Sequence, residues 1–150
     1  MNEQSVMSAF RKKLIEREFY VKKINDKSTL GVPDTFIAKE HKGMFLEGKF
    51  FERAAIPVQF KAFSAIKLGP QLTTMCDMDR SFVARYVLFF KVPGSKILCA
   101  RVQPSLMLRS IQNQEAIGLL LYNMDEFITN LERFLQLPES NTGEKIHGVI

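Results

Sequence analysis

Residues 81–91, SFVARYVLFFK, constrain this chain more than any other segment. The run is aromatic and β-branched, and Arg85 is its only interior charge. A strand this apolar cannot leave one face to water, so it belongs near the centre of a sheet, covered on both sides. Covering layers then have to come from helices, which makes an α/β architecture the expectation. The chain supplies the helical patterns. Val6, Phe10 and Leu14, with Met7 and Ile15, stripe a helix over 3–18. Gly69-Pro70-Gln71 opens a second, because proline is favoured in the first turn, and Leu72, Met75 and Cys76 follow as its apolar face. Asn123 reads as an N-cap with Glu126 three residues on, and Phe127, Ile128, Leu131, Phe134 and Leu135 form a stripe stopped before Pro138.

The remaining strands are read from punctuation. Phe19 to Ile24 reads as a first strand and 25–28 as a polar loop. Thr35 to Ala38 and Met44 to Phe50 read as a hairpin, joined by the polar segment 39–43 that ends in Gly43. Pro93-Gly94-Ser95 is a turn, and Lys96 to Val102 pairs back as the next strand. Residues 51–68 are compatible with a helical side built from Phe60, Ala62, Phe63 and Ile66, limited by Pro57. Residues 103–122 stay open, with 117–122 readable as strand or helix. At 150 residues the chain suits one domain, over 1–137, with 138–150 a polar, frayed tail. Thirteen phenylalanines and no tryptophan predict a Phe-rich core.

Chemistry concentrates on the hairpin. Gly31-Val32-Pro33-Asp34 stands at its mouth, and Glu47-Gly48-Lys49 lies on its second strand. Side chains alternate across a strand, so Glu47 and Lys49 share a face. Two carboxylates and an ammonium then converge on a small volume. That set suits a hard divalent cation, which prefers carboxylate, carbonyl and water oxygens. Asp34 and Glu47 are the side-chain ligands in this reading, and the Gly48 carbonyl a third. Lys49 is placed to approach a water or a phosphate oxygen. The plain alternative is a Pro-Asp turn beside a surface Glu–Lys pair.

Pro33-Asp34 followed by Glu47-Gly48-Lys49 resembles the active-site signature of the PD-(D/E)XK nuclease superfamily. With Gly31 ahead of it, the segment resembles the form found in Holliday junction resolvases and small VRR-NUC-type nucleases. The resemblance covers about residues 3–91. It implies a restriction-endonuclease-like fold, a central mixed sheet flanked by helices, with the site where the hairpin splays at one edge of the sheet. It further implies a Mg²⁺-dependent DNA endonuclease, with Mn²⁺ able to substitute, acting on branched or structured DNA as a homodimer. In such relatives an acid on the first helix completes the metal site. Glu3 is the candidate here, with a helix-start acid favoured by the macrodipole as the alternative. They also carry a glutamine at the start of the helix after the E-x-K strand. Gln71 fits that place, and Gln59 is the alternative. A non-catalytic nucleic-acid-binding module on the same fold, or a sequence- or lesion-specific restriction or repair enzyme, would use the same residues differently.

The net charge of +5 suits a polyanionic partner. Arg11, Lys12, Lys13 and Arg17 gather on the first helix, and Lys22 and Lys23 follow on the next strand. Arg11, Lys12, Arg17, Lys22 and Lys23 are the expected phosphate contacts, with a solvated face as the alternative. A second possible path runs along Lys61, Lys67 and Arg80. Cys76 and Cys99 lack metal-ligand spacing and read as reduced, buried thiols of a cytoplasmic protein. His41 and His147 have no ligand partners at zinc spacing. Asn2, Glu3 and Gln4 do not begin a signal peptide, and no stretch is apolar enough to span a membrane.

Overall fold

The structure is a computed structural model that describes residues 2–25, 31–52, 69–94 and 96–137. The described elements run α1 (Glu3–Glu16), β1 (Tyr20–Lys23), β2 (Thr35–Lys39), β3 (Lys42–Phe51), α2 (Gly69–Ser81), β4 (Ala84–Val92), β5 (Lys96–Val102), α3 (Pro104–Asn113), β6 (Tyr122–Asn123) and α4 (Met124–Gln136). The helical reading of 51–68, the alternative Gln59, the path along Lys61 and Lys67, most of the loop at 25–28, His147 and the tail at 138–150 lie outside the described residues.

The six strands form one mixed sheet in chain order, β1-β2-β3-β4-β5-β6. The β3–β4 pair is parallel and the other four pairs are antiparallel. A parallel neighbour needs a crossover, and α2 lies in that connection. As its composition demands, β4 is central. Its first seven residues are all buried, between α1 and α4 on one face and α2 and α3 on the other. Phe10 illustrates the phenylalanine packing, meeting Phe89 edge-on at 5.4 Å and Phe127 at 5.9 Å. Arg85, the charge within the strand, is buried and pairs with Asp79 from the end of α2. No helix among the described residues is long and apolar enough to cross a membrane.

Several boundaries differ from expectation. The first helix stops at Glu16, not Glu18. Glu18 adopts a left-handed conformation (φ 67°), its amide bonds Ile15 O, and the Phe19 amide bonds Leu14 O. This is a Schellman closure, with Phe19 buried beside Leu14 as its apolar clasp. Ser81 ends α2 instead of starting the strand. The Phe82 amide still bonds Met78 O, and Asp79 takes the Ala84 amide at 3.0 Å. The hairpin loop is tighter than 39–43. Lys39 pairs with Lys42, so the turn is Glu40-His41, both at positive φ (52° and 68°), and Gly43 belongs to β3. Positive φ at both central residues is the type I′ requirement. Helix α3 fills the open segment after Pro104, whereas 118–121 is neither strand nor helix.

A candidate active site where two strands part

Strand β2 starts at Thr35, opposite Leu46, while β3 continues to Phe51. Beyond Leu46, alternate amides of β3 face a gap where β2 has turned away. Two carboxylates fill it. Asp34 accepts from the Gly48 amide, and Glu3 accepts from the Phe50 amide. A strand residue's carbonyl points to the same side as its amide, so the Gly48 carbonyl faces the gap beside Asp34. The hairpin does splay at the acids, as expected, but not at an edge of the sheet. The outer strands are β1 and β6, and the gap lies one strand from the centre.

Glu47 projects from the face of β3 that α2 covers. Its carboxylate takes the Asp34 amide at 3.0 Å and a hydrogen bond from the Gln71 side chain, and Lys49 Nζ lies 3.4 Å from it. Glu47 is only 6% exposed. Burial, with the Asp34 charge second, raises its carboxyl from the ordinary 4.5 to about 7, against the pull of Lys49. Burial also raises Asp34, against the Thr35 hydrogen bond and the Arg11 charge. Glu3 is raised by burial too, with Lys49 opposing. Two half-compensated carboxylates beside one ammonium form a site short of positive charge.

Two glycines allow this approach. A Cβ on Gly48 would stand 2.2 Å from Met7 Sδ, so the bare backbone lets α1 lie close against β3 and bring Glu3 to the gap. Gly31 has φ +84°, and a Cβ there would meet the Gln71 Cα at 2.7 Å. The role of Gly48 therefore exceeds the backbone carbonyl that the sequence reading gave it.

The structure brings Glu3, Asp34, Glu47, Gly48, Lys49 and Gln71 to one place. Their separation is uneven, however. Among the described residues, no group of three or more His, Cys, Asp or Glu side chains is close enough to cage a metal. Any cation would rest on Asp34 and Glu47, the Gly48 carbonyl and water, with Glu3 outside that pair. One buried oxygen fits such a site, because Gln71 Oε1 has no hydrogen-bond partner. Tyr86, opposite Glu47 in the parallel register, also has a buried hydroxyl without a partner.

The basic residues expected to contact phosphate are distributed over more than one surface. Arg11 turns toward the acids: its Nε donates to Thr35 Oγ1 (3.1 Å), which donates to Asp34 Oδ1 (2.8 Å). Arg17 bonds Thr129 and pairs with Glu132 on α4. Lys22 lies opposite Phe36 and Lys23 opposite Thr35, so the pleat sends them to opposite faces. Lys12 is exposed on α1. Lys23 and Arg11, with Glu3, Ser8 and Asp34, line a cleft of about 840 Å³ between α1 and the end of β1. The Arg11–Thr35–Asp34 chain was not foreseen; its signal was a threonine directly after the acid.

Neither a family model nor a curated protein sequence matches this chain. Among solved structures it is similar to the Holliday junction resolvase Hjc of Archaeoglobus fulgidus, with 15% identity and a TM-score of 0.39, over 61% of this chain and 72% of the resolvase chain.

Proposed function

We propose that this chain is a metal-dependent DNA endonuclease that hydrolyses phosphodiester bonds, with Mg²⁺ as its cofactor and Mn²⁺ as a substitute. The observation that carries the reading is the juxtaposition of half-buried Asp34 and buried Glu47, two carboxylates raised by desolvation, with Lys49 3.4 Å from Glu47. Burying such a pair without a cation is costly, and a structural role would be served as well by apolar residues. Asp34, Glu47 and the Gly48 carbonyl would hold the ion, which supplies phosphate neutralisation and a more acidic water. Lys49 then orients the attacking water or meets charge growing on the phosphate. The Gln71 amide fixes Glu47, and Arg11 steadies Asp34 through Thr35. In the cleft, Arg11 and Lys23 sit where backbone phosphates would pass. Branched DNA is the proposed substrate, cut by a pair of copies, since two symmetric strands need two sites.

The test incubates the protein with four-way junction, flap, duplex and single-stranded DNA, with and without Mg²⁺, beside Asp34→Ala and Glu47→Ala. Cleavage confined to Mg²⁺ and lost in both variants is expected. Salt-sensitive binding without cleavage of any substrate would make the chain a non-catalytic binding module.

A further inference from the structure

The face of the sheet that carries Glu47 and Lys49 also carries a line of aromatic rings. Along β3 the residues on that face are Phe45, Glu47 and Lys49, by the alternation of the strand. Phe45 is paired with Phe36 on β2, and the rings are 5.1 Å apart. Phe36 meets Tyr20 of β1 at 6.5 Å, and Phe82 touches both Phe36 (6.1 Å) and Phe45 (5.5 Å). The line therefore begins one pleat repeat from the acid and runs outward across three strands. Its outer members are exposed, Tyr20 by 60% and Phe82 by 45%. An apolar face that open is otherwise uncommon on a folded protein.

Its surroundings identify the occupant. Lys22 stands on the same face of β1 as Tyr20 and is exposed, and Arg80, two residues before Phe82, is exposed at the surface beside Asp77 (3.5 Å), a pairing that water screens and a phosphate can replace. Aromatic rings interleaved with cations match a polyanion that also presents flat apolar rings. A duplex hides its bases inside the stack, so only unpaired nucleotides can use the rings.

We infer that the Tyr20–Phe36–Phe45–Phe82 face is a stacking platform for the bases of an unpaired DNA strand that leads to the acids at Glu47. The inference rests on the nuclease reading and narrows it. The substrate has a single-stranded segment next to the cut, as a flap or an opened junction does. Phe36 and Phe45 are the inner, fixed members, and Tyr20 and Phe82 are the accessible ones.

The test measures binding of a 20-nucleotide single strand and of its duplex in EDTA, where no cleavage occurs. It uses the wild type, Tyr20→Ala/Phe82→Ala and Tyr20→Leu/Phe82→Leu. Both double variants should bind the single strand about tenfold or more weakly, the scale of one to two lost base stacks. Duplex affinity should change less than twofold. Retention of full single-strand affinity by the leucine variant would overturn the platform, because leucine keeps the apolar surface and loses the ring. So would a wild-type dimer that becomes monomeric in the alanine variant with single-strand affinity unchanged; that face would then join two copies. Mg²⁺-dependent cleavage by the wild type separates the two readings. Cleavage with an unaltered variant affinity defeats the platform alone. Loss of single-strand binding without any cleavage keeps the platform and defeats the nuclease.

Discussion

Glu47 shows how a single residue can oppose the fold that holds it. Its carboxyl, raised from 4.5 to about 7 by burial and by Asp34, is more easily protonated in the folded chain than in the unfolded one. The associated stability is therefore fully present below about pH 4.5 and is lost as pH rises through about 7. Asp34 acts in the same direction. In metal-free solution, urea unfolding of the wild type should lose on the order of 2 kcal/mol across that window relative to Glu47→Gln, whose side chain carries no charge. Parallel pH profiles for the two proteins would refute it. Adding Mg²⁺ should raise the unfolding midpoint of the wild type at pH 7.5 and leave that of Glu47→Gln unmoved, because only a ligand that binds the native state stabilises it. Lys49→Ala should keep the fold and lose cleavage about 10²-fold, the scale of a positioned electrostatic group. An unchanged single-turnover rate would reduce Lys49 to a structural ion-pair partner of Glu47. The acids, the lysine and Gln71 were legible because each sits next to a strong local signal: a Pro-Asp turn, a strand alternation, a helix start. Arg11 was not, since a helical wheel does not say which arginine faces a strand two elements later.

At the scale of elements, two features limit stability. The hairpin turn places Glu40 and His41 at positive φ, where ordinary side chains are strained and Asn-Gly is favoured. Replacing both with Asn-Gly should raise stability by about 1 kcal/mol, the lower end of the left-handed penalty. A chemical denaturation midpoint that does not rise would mean the turn is less regular than its register implies. The contact of α1 with β3 is the second feature. Gly48→Ala should cost about 2 kcal/mol by overpacking Met7, and Met7→Ala in that background should restore part of it. Additive costs would show that the two residues do not share the space. The strands were readable from hydrophobic runs and glycine–proline punctuation, and α2 and α4 from their first residues. The exact hairpin was not, because Gly43 looked like a loop glycine when it serves the packing of Phe36. Helix α3 escaped because its apolar positions follow an ambiguous run, and only Pro104 marks its start.

Across the whole molecule, charge is divided between folding and the proposed DNA path. Arg11 and Lys23 line the cleft, while Arg17 is tied to α4. Arg11→Ala and Lys23→Ala together should flatten the salt dependence of DNA binding by roughly two units, one per lost phosphate contact. Arg17→Ala should leave the slope alone and lower stability. A slope altered by Arg17→Ala and untouched by the pair would place the DNA on the opposite side of α1. Composition announced a basic protein, but only tertiary contacts separate the cations that bind the chain to itself from those left for a partner.

The tie between α1 and α4 has a consequence for how the chain is made. Glu3 reaches the gap from α1, yet α1 is anchored by Lys13 to Asp125 (2.9 Å) and by Arg17 to Glu132. The site's own residues all lie within the first 71 positions, and its brace arrives some sixty residues later. A chain still emerging from the ribosome thus carries every acid of the site without the helix that seats the first of them. On the nuclease reading, a nascent or truncated copy lacking α4 would hold Asp34 and Glu47 while Glu3 lacked the braces that Lys13 and Arg17 make to α4.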